Sequence, residues 1–155
     1  MPKEQRDFWK ELGHPNPDYT DSSLKLKYEE FPTFKHIVDY LGLVEHQDFD
    51  VKVKLFRQKP GQILPTHIDN YKKSHEVEVS KMALKAKRFA VALTDWDFGH
   101  YWHFGNAFWH QWRCGDCVHW DRTMAHGTAN VGHTDRLTLQ ITGIPSEKTL
   151  ELLKK

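Results

Sequence analysis

The sequence predicts a mainly β fold, a small sandwich or barrel of the jelly-roll kind with helices outside it. Three observations carry this. From Val51 the apolar positions alternate with period two, Val51, Val53 and Leu55 against Lys52 and Lys54. Short β-rich runs then follow, separated by turn-forming residues at close spacing. Before Val51 the apolar spacing is helical instead.

The chain of 155 residues suits one domain. Its parts are a helical lead-in over 1–50, a β core over 51–143 and a C-terminal helix over 144–155. In the lead-in, Glu4 to Leu12 has apolar residues at 8, 9 and 12 and stops at Gly13. His14 to Asp21 reads as loop. Phe34, Ile37, Val38 and Leu41 share a helix face, and Gly42 is the stop. In the core, Val51 to Phe56 is a strand and Lys59-Pro60-Gly61-Gln62 a turn. Ile63 to Asp69 is extended, with Pro65 marking an edge or strand end. Asn70 to Lys87 is polar and charged, suited to a lid over a site. Arg88 to Thr94, Ala107 to Arg113, Cys117 to Trp120 and Asp135 to Thr142 are further strands, with a tight turn at Gly115-Asp116. Ser146 caps a closing helix through Leu153.

Hydrophobic residues make up 39% and charged residues 28%, ordinary for a globular domain. A net charge of +1 offers no electrostatic footprint for nucleic acid or an anionic membrane, so neither is an expected partner. No apolar run is long enough to span a bilayer, and the charged N-terminus lacks the apolar stretch of a secretory signal. Two cysteines in a lone Cys114-Gly-Asp-Cys117 suit a reducing cytoplasm. Eleven histidines and six tryptophans are many for this length, and their excess falls between Asp95 and His133.

One constellation stands out. His67-Ile68-Asp69 is followed far downstream by His126, and Arg136 lies ten positions further on in the apolar-rich strand. In extended chain, residues i and i+2 share a face, so His67 and Asp69 reach one point while Ile68 turns into the core. Two histidines and one carboxylate on one face of a metal leave three positions open, the donor set of non-haem Fe(II) oxygen chemistry. A jelly-roll interior would bring in His126, which lies in the small-residue stretch Met124 to Asn130, where a ligand can approach closely. The Arg136 guanidinium could grip a carboxylate of a metal-bound co-substrate through two parallel hydrogen bonds. A lone His-x-Asp is common by chance and more often a surface histidine bonded to a nearby acid. The position after a strand-turn-strand, the distant histidine and the arginine set this one apart.

Gly115-Asp-Cys-Val-His-Trp-Asp121, His126-Gly-Thr-Ala-Asn130 and Arg136-Leu-Thr-Leu139 resemble the Fe(II)- and 2-oxoglutarate-dependent dioxygenases, and are most similar to their aspartyl/asparaginyl β-hydroxylase-like branch. The resemblance covers roughly Val51 to Gly143. It implies a double-stranded β-helix, with His67, Asp69 and His126 on iron and Arg136 on the far carboxylate of 2-oxoglutarate. It also implies hydroxylation of an unactivated C–H bond using dioxygen, with release of succinate and carbon dioxide. The implied substrate is a small molecule or a peptidyl residue. Some members of that branch have a small residue in place of the acid. This chain keeps Asp69, which is closer to the general dioxygenase pattern.

Other residues are secondary candidates. Arg88 heads a strand and could pair with the co-substrate or a substrate carboxylate, or simply extend into solvent. Tyr101, Trp102 and His103 sit where the resembling enzymes often place co-substrate contacts. Trp109, Trp112 and Trp120 read as core or pocket wall, with Trp120 nearest the iron. His100, His103, His110, His119 and His133 match no usual zinc spacing with the cysteines. Cys114 and Cys117 span a turn, where the bland reading is two thiols at a hairpin. The rival class is a metal-binding cupin without oxygenase activity, an isomerase or binding module, which needs no arginine after its last ligand. A zinc-stabilised interaction domain is a weaker third.

Overall fold

The computed structural model describes residues 22–47, 49–69 and 85–154, with Asp7, Lys10, Glu11 and Gly13. The chain is a double-stranded β-helix of two antiparallel sheets. The strands are β1 (Ser22–Leu26), β2 (Leu43–Val44), β3 (Lys52–Gln58), β4 (Ile63–His67), β5 (Lys87–Ala92), β6 (His100–Phe104), β7 (Ala107–Trp109), β8 (Cys117–Trp120), β9 (His126–Asn130) and β10 (Arg136–Pro145). One sheet has the order β1-β3-β10-β5-β8, with β2 on the end of β10, and the other the order β4-β9-β6-β7. Helix α1 (Pro32–Leu41) lies between β1 and β2 in sequence, and helix α2 (Glu147–Leu152) follows β10.

The register of the larger sheet separates two environments. Val53, Ile141 and Phe89 are paired across β3, β10 and β5, as are Leu55, Leu139 and Val91. All of these except Leu55 pack with Val38 and Leu41 of α1 into the main apolar core, joined by Phe34 and Ile37. Alternation along β10 turns the intervening rows the other way. They are Gln140–Ala90–Val118 and Thr142–Arg88–Trp120. Ala90 and Trp120 pack with Trp102, Phe104 and Trp109 of the smaller sheet. The main core thus lies between the larger sheet and α1, and the space between the sheets is lined by aromatic and polar groups.

Local sequence explains the ends of these elements. Pro32 sits in the first turn of α1, where its missing N–H costs nothing. Gly42 ends that helix at φ 70°, where a left-handed residue is needed. The Lys59–Gln62 turn closes with Gln62 N–H on Lys59 O at 3.0 Å. Ser146 caps α2 in a reciprocal box with Thr149, whose buried hydroxyl also meets Leu41 O (2.7 Å) and Gly42 O (2.9 Å). That one side chain ties α2 to the end of α1.

Several expectations are corrected. Ser22–Leu26 in the lead-in is a strand, paired with β3, because that sheet needs a neighbour on its outer side. Asp7, Lys10 and Glu11 are helical and Gly13 is a turn, but the rest of Glu4 to Leu12 and the His14–Asp21 loop lie outside the described residues. The last strand runs past 143 to Pro145, since its end pairs with β2. Ala107 to Arg113 is strand only as far as Trp109; Gln111 has φ 56° and breaks the extension. Strand β5 ends at Ala92, two residues short of Thr94. Lys87 belongs to β5, and the remaining lid expectation falls on residues 70–84, outside the described residues. His100–Phe104 and His126–Asn130 are strands that the apolar pattern does not reveal. No helix among the described residues is long and apolar enough to cross a membrane.

The packing gives two stability predictions. Leu139 is fully buried in the main core, and Leu139→Ala should lower unfolding free energy by about 2–5 kcal/mol in a urea titration. Thr149→Val, which strands the capping partners of α2, should cost about 1–3 kcal/mol. A Leu139→Ala loss below about 1 kcal/mol would contradict the place of Leu139 in the main core.

Candidate metal centre

His67 ends β4, an edge strand of the smaller sheet, and pairs with His126 at the start of β9. A register shift between Leu64 and His67 marks a bulge around Pro65, which supplies no ladder N–H and is tolerated there. The two rings come within 4.4 Å, centroid to centroid. Asp69 lies two residues beyond His67, past the strand end, with its N–H on Arg122 O at 3.0 Å. Ile68 does not turn into the core: it is 56% exposed, because the chain has already left the strand.

The ligand atoms of His67, Asp69 and His126 all lie within 4.8 Å of one another, close enough to hold one metal ion. Each imidazole is oriented from behind. His67 Nδ1 is 2.8 Å from Pro65 O and His126 Nδ1 2.9 Å from Met124 O. A carbonyl only accepts, so both Nδ1 atoms carry the proton and both Nε2 atoms keep a lone pair, as metal-binding histidines require. Burial pushes the His126 imidazole down to about 4, which keeps it neutral at pH 7.

Asp69 is 6% exposed, and each of its carboxylate oxygens meets one donor. Arg88 Nη1 pairs with Oδ1, and Trp120 Nε1 donates to Oδ2 at 3.0 Å. Oδ2 is also 3.9 Å from His126 Nε2. Arg88 is itself steadied by Thr142, its neighbour across β5 and β10, through Nε to Oγ1 at 3.2 Å. Both secondary candidates therefore meet the acid. Arg88 is no solvent-facing arginine, and Trp120 contacts the carboxylate through its indole N–H as well as packing 5.0 Å from the His126 ring.

Arg136 is 1% exposed and lies with its guanidinium carbon 4.8 Å over the Trp102 ring, Nη1 reaching Tyr101 O at 3.4 Å. Its depth follows from the register. Arg136 pairs with Gln58, Gln58 Nε2 donates to Thr128 Oγ1 at 2.9 Å, and Trp102 pairs with Thr128. Arg136 thus stands at the level of Thr128, two residues or about 7 Å along β9 from His126. The aromatic path Trp102–Trp120–His126, with centroid steps of 5.7 and 5.0 Å, joins the two ends of this chamber.

The remaining candidates resolve into structure. His103 Nε2 bonds Thr66 Oγ1 at 3.0 Å, and Trp112 Nε1 donates to Thr94 O at 3.1 Å. Among the described residues no second cluster of metal-ligating side chains forms. The cysteines are free and exposed beside the Arg113–Asp116 turn. The close approach expected near Gly127 is made by β4, whose Leu64 O would lie 2.9 Å from an added Cβ, and by His103 Nε2 at 2.8 Å. Sequence reasoning missed Arg122 altogether, because its hold on Asp69 runs through a backbone carbonyl and leaves no side-chain signature.

Fold and site together define a double-stranded β-helix with a two-histidine, one-carboxylate cluster at the mouth of a chamber that has a buried arginine at its inner end. The chain belongs to the aspartyl/asparaginyl β-hydroxylase family, whose sequence profile matches residues 2–144. A comparison with curated proteins gives no match. Among solved structures, the chain is similar to the TT1209 protein of Thermus thermophilus, with 15% identity over 88% of this chain and 93% of that one and a TM-score of 0.48. It is similar to the plu4264 protein of Photorhabdus luminescens, with 11% identity over 88% and 84% and a TM-score of 0.49. A conserved Klebsiella pneumoniae protein with a double-stranded β-helix domain gives 16% identity over 67% and 75%, at a TM-score of 0.44.

The hydrogen bond from Trp120 is open to test. Trp120→Phe keeps an aromatic wall but removes the donor to Asp69, and should weaken Co(II) or Zn(II) binding about tenfold or more in a chelator competition. Unchanged affinity in a folded variant would show that the indole N–H has no part in orienting the acid.

Proposed function

We propose that the protein is an Fe(II)- and 2-oxoglutarate-dependent dioxygenase that hydroxylates an unactivated C–H bond, of an amino acid or a peptidyl residue. The observation that carries this reading is the His67–Asp69–His126 cluster together with Arg136, which is buried over Trp102 and joined to the cluster by the aromatic path Trp102–Trp120–His126. A metal centre alone has no use for a guanidinium at that depth. A five-carbon diacid chelated at the mouth would reach it.

The residues fit the groups they would hold. His67 and His126 would bind the metal through Nε2 and Asp69 through one carboxylate oxygen, a donor set suited to Fe(II) with positions left open. Iron with 2-oxoglutarate and dioxygen supplies an oxidant strong enough for C–H hydroxylation, with succinate and carbon dioxide as co-products. Arg88 and Trp120 hold the Asp69 carboxylate in place. Arg136 provides charge for the far carboxylate of the diacid. Trp102 Nε1 is buried beside it and has no hydrogen-bond partner among the described residues, which leaves a donor available to a carboxylate oxygen. Trp102, Trp120 and Phe104 wall the chamber with apolar surface and limit the water that reaches it.

Succinate release from 2-oxoglutarate should depend on added Fe(II), and Asp69→Ala should abolish it. Arg136→Ala should retain Fe(II) binding while weakening 2-oxoglutarate about thirtyfold, the equivalent of a lost charge-assisted contact of about 2 kcal/mol. Full activity in Asp69→Ala, or an unchanged 2-oxoglutarate requirement in Arg136→Ala, would overturn the reading.

A further inference from the structure

The outer face of the smaller sheet carries aromatic rings where a solvated face carries charge. Trp102, Phe104 and Trp109 pack inwards with Trp120 of the larger sheet, so alternation turns Tyr101, His103 and Phe108 outwards on β6 and β7. On β9, Gly127 and Ala129 lie on the same outer face, paired with His103 and Tyr101. Val131 follows β9, and its N–H on Gly99 O at 2.9 Å brings it alongside the loop that carries Phe98.

Two properties coincide here. The three most exposed large apolar side chains among the described residues lie on this face or at its end: Phe98 at 81%, Phe108 at 64% and Val131 at 63%. Tyr101 adds a half-exposed ring. None of the residues of β4, β6, β7 and β9 is Lys, Arg, Asp or Glu. Those types make up 28% of the chain and occur in β1, β3, β5 and β10 of the larger sheet. An antiparallel sheet with one face in water ordinarily puts polar and charged groups on that face. A contiguous apolar patch in their place marks a surface that is covered.

Charge decides what fits it. In a two-fold pairing, a residue near the axis meets its own counterpart, so a Lys or Glu there would face its own charge. A face without either avoids that penalty, whereas a charged partner would find no ion pair to make. The area also suffices. At about 200 Å² for a whole aromatic side chain, the exposed parts of Phe98, Tyr101, Phe108 and Val131 come to about 500 Å². Two copies would bury about 1,000 Å² in total, the lower bound for a specific interface. Strand β7 ends the sheet and is three residues long, too short for pairing edge to edge, so the contact is face to face.

We propose that the outer face of the smaller sheet is a homodimer interface, with Phe98, Tyr101, Phe108 and Val131 of one copy packed on the same residues of a second. The pairing is isologous and closes at two copies. It uses the opposite side of the sheet from the metal cluster, so it stands whether or not the hydroxylase reading holds.

The test is sedimentation velocity on the full chain from about 1 to about 500 µM, the range in which an interface of minimal size assembles. The sedimenting mass should rise from the 18.3 kDa of one chain to twice that and stop there. Phe98→Glu and Phe108→Glu each set like charges across the two-fold pairing and should raise the dimer dissociation constant about tenfold or more. Both side chains are mostly exposed and lie outside the main core and the metal cluster, so both variants should bind Zn(II) as the wild type does. Leu24→Glu, at a residue 61% exposed on β1 of the other sheet, should leave the dimer intact. A mass that stays at one chain throughout, a mass that climbs past two copies, or a dimer that survives both Phe98→Glu and Phe108→Glu overturns the proposal. So does a dimer that Leu24→Glu dissolves, because the contact would then lie on the larger sheet.

Discussion

Burying the Asp69 carboxylate is the constraint on which the rest of this structure turns. A carboxylate with 6% exposure is costly unless charge and hydrogen bonds replace its water. The replacement comes from Arg88 on β5 and Trp120 on β8, while Arg122 in the loop after β8 holds the Asp69 backbone N–H through its carbonyl. All three belong to the larger sheet or its loop, whereas Asp69 follows the edge strand of the smaller one. The acid thus pins the two sheets together at the mouth of the chamber, where no strand ladder crosses between them. The same contacts fix the orientation of the carboxylate before any metal arrives, which is the preorganisation a binding site needs.

The second requirement is a sheet with two chemically different faces, and β10 shows how it is met. Leu139 and Ile141 face the α1 side and lie at the centre of the main core. Thr142 supports Arg88 in the row between, and Arg136 at the strand start reaches the inner end of the chamber. Stability is drawn from one face and chemistry from the other, so the site can be polar without hollowing out the core. A one-residue slip of β10 would exchange the two sets, placing Thr142 in the core and Ile141 in the chamber. Register is therefore a condition of function as well as of folding.

Legibility in the sequence followed this division. Cys117–Trp120, the α1 face, the Ser146 cap and the edge position of Pro65 each leave a local signature, and each was readable. Strands β6 and β9 were not, because they line a polar chamber: His100-Tyr-Trp-His-Phe104 and His126-Gly-Thr-Ala-Asn130 lack the apolar alternation that marks a half-buried strand. Strand β1 was hidden for another reason. Leu24 is 61% exposed, and the segment is ordered by its partner β3 more than by its own pattern. At the site, the metal-ligating types and the arginine could be read from residue identity and spacing. The pairing of Arg88 with Asp69 and the hold of Arg122 on the same residue could not, since both depend on contacts between segments far apart in sequence.

The central claim is that one chamber holds a metal at its mouth and a diacid down to Arg136. Its most direct test is anaerobic titration of the metal-free protein with Fe(II) and then 2-oxoglutarate, following visible absorption. The account predicts a weak metal-to-ligand charge-transfer band that appears only when both are present, which reports the diacid chelating the metal. Fe(II) binding without that band would contradict it and leave a metal-binding β-helix without oxygenase chemistry. Failure to bind Fe(II) at all would remove the metal from the site.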